Sequence, residues 1–192
     1  MSTALIALGS NLGDRLAYLG RAIEAFARHE AIHTLCTSSF YETSAVAMSA
    51  ADPAGPFLNA ALSIETTLPP AALLAFCQEL EASSGRVQAR PMDGYLSRYL
   101  DVDILFYDAL VQQDDALQIP HPRLHERLFV LYPLAEIAGD WVHPTLNLTI
   151  RALKARLLTA PPDVEPRPVW HAAATYPSPM SFSRAPRRMP HP

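Results

Sequence analysis

The run Arg98-Tyr99-Leu100-Asp101-Val102-Asp103-Ile104-Leu105-Phe106-Tyr107 reads as a buried strand into which two acids are set. A strand sends alternate residues to opposite faces, so Asp101 and Asp103 share one face while Leu100, Val102 and Ile104 share the other. Two carboxylates held close together repel and resist burial unless a cation stands between them or one is protonated. Oxygen ligands with open positions for substrate phosphates suit Mg²⁺, and Arg98 is near enough to hold a phosphate oxygen. The pattern fits equally well the solvated face of an edge strand with one surface ion pair.

This strand also completes an order of elements that decides the fold. Residues 4–8 are a short apolar strand, Gly9-Ser10-Asn11 breaks it, and Leu12, Leu16, Leu19, Ile23 and Phe26 recur at helical spacing. Residues 32–42 and 57–66 are β-rich runs separated by a long loop over 43–56. Pro69 and Pro70 open a helix with Leu73, Phe76, Cys77 and Leu80 on one face, and Gly85 closes it. A second irregular stretch, 86–97, leads into the aspartate strand. Strand, helix, strand, strand, helix, strand is the order of the ferredoxin-like, split βαβ arrangement. It is an α+β fold, a mainly antiparallel sheet with helices on one face. Additional C-terminal helices are expected from about residue 127 to 138 and around 150–158.

Length and composition bound the rest. At 192 residues and 49% hydrophobic, the chain buries one sizeable core, and one domain is expected over residues 1–160. Residues 161–192 hold nine of the 18 prolines, no glycine and no apolar period, which is the composition of a disordered tail. Arg184, Arg187 and Arg188 near its end admit a sticky arm for an acidic partner, but a merely soluble tail is the preferred reading. No apolar run approaches a membrane span and the N-terminus lacks a signal-peptide pattern, so a cytoplasmic protein with no membrane partner is expected. Cys36 and Cys77 lie inside apolar patterns and read as small core residues. The net charge of −4 gives no basic field for nucleic acid.

The chemistry is narrowed by what is missing. There is no Gly-Lys-Ser/Thr phosphate loop, and Gly9-Ser10-Asn11-Leu12-Gly13 lacks the spacing of a dinucleotide fingerprint. Positive charge and forked donors for a polyphosphate would come from Arg86, Arg98, Arg127 and His121. Phe57 and Asn59 share a strand face and together suit a flat heterocycle with donors and acceptors on its edge, although a packed Phe and a backbone-satisfying Asn fit as well. Gln78 and Glu81 lie on the polar side of the second helix, where such a pair is usually only solvated. The two long loops suit either a lid that excludes water or tolerated insertions.

Beyond these local readings, several segments agree with one family. Ala7-Leu8-Gly9-Ser10-Asn11-Leu12-Gly13-Asp14-Arg15, Ser39-Phe40-Tyr41-Glu42-Thr43, Phe57-Leu58-Asn59-Ala60-Ala61, Gly85-Arg86-Val87, residues 98–105 and Ile119-Pro120-His121-Pro122-Arg123 fall in that family's order. Arg127, Phe129, Val130, Leu131, Pro133-Leu134 and Glu136-Ile137 continue it. The chain resembles the 6-hydroxymethyl-7,8-dihydropterin pyrophosphokinases over about residues 4–144. The resemblance implies transfer of diphosphate from ATP to a pterin hydroxymethyl group with release of AMP, in tetrahydrofolate biosynthesis. It implies two Mg²⁺ ions on Asp101 and Asp103. Phe57 and Phe129 would sandwich the pterin, Asn59 would bond its edge, and groups around Thr43, Ser44 and Val46 would complete that pocket. Arg86, Arg98 and His121 would act on the triphosphate, with Gln78 and Arg127 also binding ATP and Ile104 lining the adenine side. A monomer acting on these two small molecules is expected.

The chain departs from the family's common Trp-Gly-Pro-Arg, which is Tyr95-Leu96-Ser97-Arg98 here, and Gln88 stands where a further basic residue is usual. These changes bear on loop stacking and phosphate affinity and leave the aspartates and the ring face intact. A weakened pterin or nucleotide binder and an unrelated two-metal phosphotransferase or nuclease are the alternative classes.

Overall fold

The structure is a computed structural model that describes residues 1–43, 55–85, 97–159 and 167–168, the last pair by backbone alone. The first strand, β1 (Ser2–Ser10), runs further at both ends than its apolar centre. Helix α1 (Arg15–Arg28) starts where the Asp14 carboxylate accepts the Ala17 N–H at 3.0 Å. Such a cap stabilises a helix by about 1 kcal/mol. After α1 come β2 (Ile32–Thr37), β3 (Tyr41–Thr43) and β4 (Phe57–Thr66). Helix α2 (Pro70–Ser84) has Pro70 in its first turn, where a missing N–H leaves no bond unmade. It stops at Gly85, whose φ of 113° is strained for any other residue.

The aspartates lie on β5 (Asp101–Tyr107), followed by a small hairpin, β6 (Gln112–Gln113) and β7 (Gln118–Ile119). Two further helices, α3 (Leu128–Ala138) and α4 (Ile150–Leu158), and a short strand, β8 (Arg167–Pro168), complete the order. The main sheet runs β5-β1-β4-β3-β8, with β2 pairing the other half of the β4 edge that β3 occupies. Its pairings are antiparallel, and the split βαβ order is the one read from the sequence. The strand β8 falls within the Pro-rich stretch and pairs by backbone with β3.

Two features depart from the simple pattern. Residues 32–42 form two strands, because Ser38 leaves the ladder. Its N–H donates to the Ala61 carbonyl at 2.9 Å while its Oγ accepts the Ala61 N–H at 2.8 Å. The β1–β5 register shifts, with Ile6 opposite Ile104 but Leu5 opposite Phe106, so Leu105 is an extra residue in a bulge. Helices α1 and α2 cover one face of the sheet, as the split βαβ order implies, and the additional C-terminal helices cover the other. On one side Ile6, Leu8, Leu62 and Ile104 pack with Leu19 and Phe26 of α1 and Leu73 and Cys77 of α2. On the other, Leu5, Ala61, Leu105 and Phe106 pack with Leu131 and Leu134 of α3 and Ile150 and Leu153 of α4. The bulge is what sends two consecutive residues, Leu105 and Phe106, to this second core.

Cys77 is buried, which pushes its thiol up to about 12, whereas Cys36 on β2 is half-buried. Both are free. Among the described residues no helix is long and apolar enough to cross a membrane. If both helical layers carry the fold, Leu19→Ala and Leu131→Ala, each at a fully buried site, will each destabilise it by about 2–5 kcal/mol in urea unfolding. A neutral Leu131→Ala would remove α3 from the structural core.

Candidate active site

The site residues gather at one end of the sheet, on the face that α3 and α4 only partly cover. Residues directly opposite each other in an antiparallel ladder point to the same face. Asp101, Gly9, Asn59 and Tyr41 therefore form one row across four strands, and Asp103, Ala7 and Ala61 form the next. The middle of both rows is made of small residues. A Cβ at Gly9 would fill the gap, lying 3.4 Å from Asn59 Oδ1, 3.7 Å from Asp101 Cβ and 4.0 Å from Phe57 Cδ1.

At the β5 end of the floor stand the two carboxylates. Arg98 pairs with Asp101, and His121 Nε2 lies 3.9 Å from Asp103 Oδ2, too far for a hydrogen bond. Withdrawal from water raises the pKa of both aspartates, and the charge of Asp103 raises Asp101 further, while Arg98 and Arg127 act in the opposite direction. Among the described residues, Arg98 and Arg127 do not fully offset the burial of the two acids. Burial, with Arg127 adding to it, pushes His121 down to about 4, so at neutral pH it is a neutral ring. Its Nδ1 accepts the Arg123 N–H at 3.2 Å, which leaves the proton on Nε2. His121 thus presents Nε2 as a hydrogen-bond donor toward Asp103.

The approach to the aspartates is held from two sides. The buried Asn11 amide donates to Ser97 Oγ at 3.2 Å and accepts the Arg98 N–H at 2.6 Å, and its own N–H donates to the Arg98 carbonyl at 3.0 Å. Tyr99 packs on the other side, its ring within 3.2 Å of a Cβ built at Gly85 and 3.5 Å of one at Gly13, with Tyr18 at 5.3 Å between centroids. Glu81, which the sequence grouped with Gln78 as a solvated pair, is half-buried, and its Oε1 accepts the Val102 N–H at 2.8 Å on the outer edge of β5. The signal for it was position: Glu81 follows the buried Cys77 by four residues and so lies on the same helical flank. Gln78 is exposed.

At the β4 end, Asn59 Nδ2 donates to Thr43 Oγ1 at 3.0 Å, which orients the amide and leaves Oδ1 beside Gly9. Phe57 and Phe129 are both half-buried, and the Arg127 guanidinium lies 5.6 Å over the Phe129 ring. Glu136 on α3 fastens β3 beneath them. It accepts the Ser39 N–H at 3.0 Å, the Ser39 hydroxyl at 2.9 Å and the Tyr41 hydroxyl at 3.0 Å. Sequence reasoning gave neither Asn11 nor Glu136 a role in holding the site, since both act between segments far apart in the chain.

Of the expected site residues, Asp101, Asp103, Arg98, His121, Arg127, Thr43, Phe57, Asn59 and Phe129 lie at this end of the fold. Arg86, Ser44 and Val46 fall outside the described residues, as do Tyr95, Leu96 and Gln88. The Ile104 side chain is 4% exposed and belongs to the α1/α2 core on the opposite face. Only its backbone, two residues along from Val102 on the outer edge of β5, can meet a ligand. Among the described residues, no group of three or more His, Cys, Asp or Glu is gathered to hold a metal ion.

Residues 5–139 match the family model of 7,8-dihydro-6-hydroxymethylpterin-pyrophosphokinase. The chain is 41% identical over 142 residues to the 2-amino-4-hydroxy-6-hydroxymethyldihydropteridine pyrophosphokinase of Methylorubrum extorquens, covering 74% of this chain and 86% of that one. It is 39% identical over 159 residues to the enzyme of the same name from Haemophilus influenzae, covering 80% and 92%. Its fold is similar to a crystal structure of Plasmodium falciparum HPPK-DHPS, with a TM-score of 0.61 at 15% identity. That match covers 83% of this chain and 44% of the longer Plasmodium chain, of which this one spans less than half.

The position of Glu81 has a consequence for pH. Burial, reinforced by the charges of Asp101 and Asp103, pushes its carboxyl from 4.5 up to about 7, against the lowering effect of the Val102 N–H and Arg98. Between those values the folded protein holds a proton that the unfolded chain has released, so stability falls as pH rises through that window. In metal-free buffer, Glu81→Gln will gain thermal stability over the parent between pH 5 and pH 8. A difference in melting temperature independent of pH would refute the assignment.

Proposed function

Because the chain belongs to the 7,8-dihydro-6-hydroxymethylpterin-pyrophosphokinase family, we propose that this end of the sheet is where ATP and the pterin meet. The activity is that of the family: diphosphate is transferred from ATP to the hydroxymethyl group of 6-hydroxymethyl-7,8-dihydropterin, and AMP is released, in folate biosynthesis. The hydroxymethyl oxygen bonds to the β-phosphorus, the bridge to the α-phosphorus breaks with its oxygen leaving on AMP, and the hydroxyl proton is released. There is little covalent work for the protein in such a step, so positioning and charge neutralisation carry it.

The observation that supports this reading best is the row Asp101-Gly9-Asn59. Strands lie about 4.8 Å apart, which puts the backbones that carry the acid and the amide roughly 10 Å apart, with only the side-chain-free Gly9 between them. A phosphate chain at one end and a flat ring at the other, joined through one hydroxymethyl group, need about that span. Asn59 Oδ1, freed by the Thr43 bond, accepts from a ring N–H, while Phe57 and Phe129 supply the two aromatic faces. Arg98 and Arg127 neutralise phosphate oxygens, and His121 donates from Nε2. Arg86 and Gln78 are assigned to the same triphosphate, Ser44 and Val46 to the ring, and the backbone of Ile104 to the adenine.

The raised aspartates suit a divalent cation, and two hard oxygen donors with free positions match Mg²⁺. Asp101 and Asp103 would hold two such ions, which when bound draw negative charge from the phosphates. A monomer in the cytoplasm is the form in which we take the chain to act. The net charge of −4 and the small-molecule site give nucleic acid no part in it.

The decisive assay incubates the protein with Mg²⁺, ATP and hydroxymethyl-dihydropterin and identifies the nucleotide product. AMP is expected; ADP would make the protein an ordinary kinase, and pterin binding without turnover would make it a binder. Asp101→Asn and Asp103→Asn will each abolish AMP formation. Relief of the repulsion between the two acids will leave the metal-free variants at least as heat-stable as the parent. A fully active variant would sink the metal assignment.

A further inference from the structure

Arg15, in the first turn of α1, touches one of the strands that frame the ring end of the site and the residue that leads into the other. Its Nη1 donates to the Pro56 carbonyl at 2.5 Å, and its Nη2 lies 2.8 Å from Glu42 Oε2. Glu42 belongs to β3, and Pro56 immediately precedes β4. In the ladder Glu42 pairs with Leu58, between the pairs Thr43 with Phe57 and Tyr41 with Asn59. Alternation therefore puts Tyr41 and Thr43 on the site face and Glu42 on the reverse. One guanidinium clasps β3 and the lead into β4 from behind, at the rung where the ring pocket ends.

We infer that Arg15 is a positioning residue for the pterin, holding Thr43 and Asn59 on the one hand and Phe57 on the other at a fixed spacing. The inference rests on the pocket proposed above. Three physical points support it. The Asp14 cap and the turn at Gly13, with φ of 60°, fix where the α1 N-terminus stands, so the arginine works from a rigid base. Its planar fork reaches two acceptors on different segments at once, which a lysine ammonium on a flexible stem does poorly. The side chains of Arg15 and Glu42 are 29% and 38% exposed, and an ion pair so open to water adds little to global stability. The effect is consequently local: without the clasp the last rung loosens, while the helices, the second core and the aspartate strand keep their packing.

The test follows the fluorescence of 6-hydroxymethylpterin as protein is added, in the presence of Mg²⁺ and a non-hydrolysable ATP analogue. Parent, Arg15→Ala, Glu42→Ala, the double variant and Arg15→Lys are compared, with melting temperature and affinity for the analogue alone measured beside them. Arg15→Ala is expected to weaken pterin binding by about three- to tenfold, with melting temperature and analogue affinity nearly unchanged. The double variant should bind no more weakly than Arg15→Ala, since the partners share one interaction. Arg15→Lys should recover part of the loss. Pterin affinity of Arg15→Ala within about twofold of the parent would overturn the inference, as would a parallel loss of analogue affinity. If the parent itself binds no pterin, the pocket reading fails and takes the clasp with it. If the parent binds and Arg15→Ala matches it, the clasp alone fails.

Discussion

Along one face of β1 the side chains shrink from Leu5 through Ala7 to Gly9, and the rest of the structure depends on that taper. At the Leu5 end the face is apolar and full, so α3 and α4 pack on it with Leu131, Leu134, Ile150 and Leu153. At the Gly9 end the neighbouring strands present Asp101 and Asn59, and β1 adds no side chain between them. One strand thus builds a core at one end and a floor at the other. Its opposite face, Ala4, Ile6 and Leu8, is buried throughout against α1 and α2, which fixes the register. A slip of one residue would exchange the two faces and lose both core and floor.

The charges at the open end are tolerable only because of what surrounds them. Burial raises the proton affinity of both Asp101 and Asp103, the charge of Asp103 raises that of Asp101 further, and the half-buried Glu81 lies within electrostatic reach of both. Arg98 and Arg127 offset part of this, and the Val102 N–H takes one oxygen of Glu81. The rigidity of this end comes from groups that have no chemical part: Asn11 binding the backbone of Arg98, Tyr99 against Gly13 and Gly85, and Glu136 tying β3 to α3. Preorganised donors and acceptors of this kind need no rearrangement when charge develops on a substrate.

Much of this was legible in the chain. The helix from Pro70 to Gly85 announced itself because proline and glycine act locally, through a fixed φ and a permitted positive φ. The order of elements followed from apolar period, and the split βαβ arrangement from that order. The break between β2 and β3 was not legible, since a serine closing on the Ala61 backbone looks like any other serine in a β-rich run. Nor was the bulge at Leu105, because an extra apolar residue in an apolar strand leaves no mark on the pattern.

The sequence by itself determined which residues are chemically capable: two acids in phase on a strand, an aromatic and an amide two apart, and arginines near them. That information is local, carried by side-chain type and by periods of 2 and 3.6 residues. The tertiary structure alone decided which of them meet, and in what state. It set Asp101 and Asn59 on either side of Gly9, buried His121 so that its pKa falls, drew Glu81 to the edge of β5 and put Arg15 behind the last rung of β3 and β4. Register, burial and long-range hydrogen bonds made those decisions, and each depends on segments that are distant in the chain.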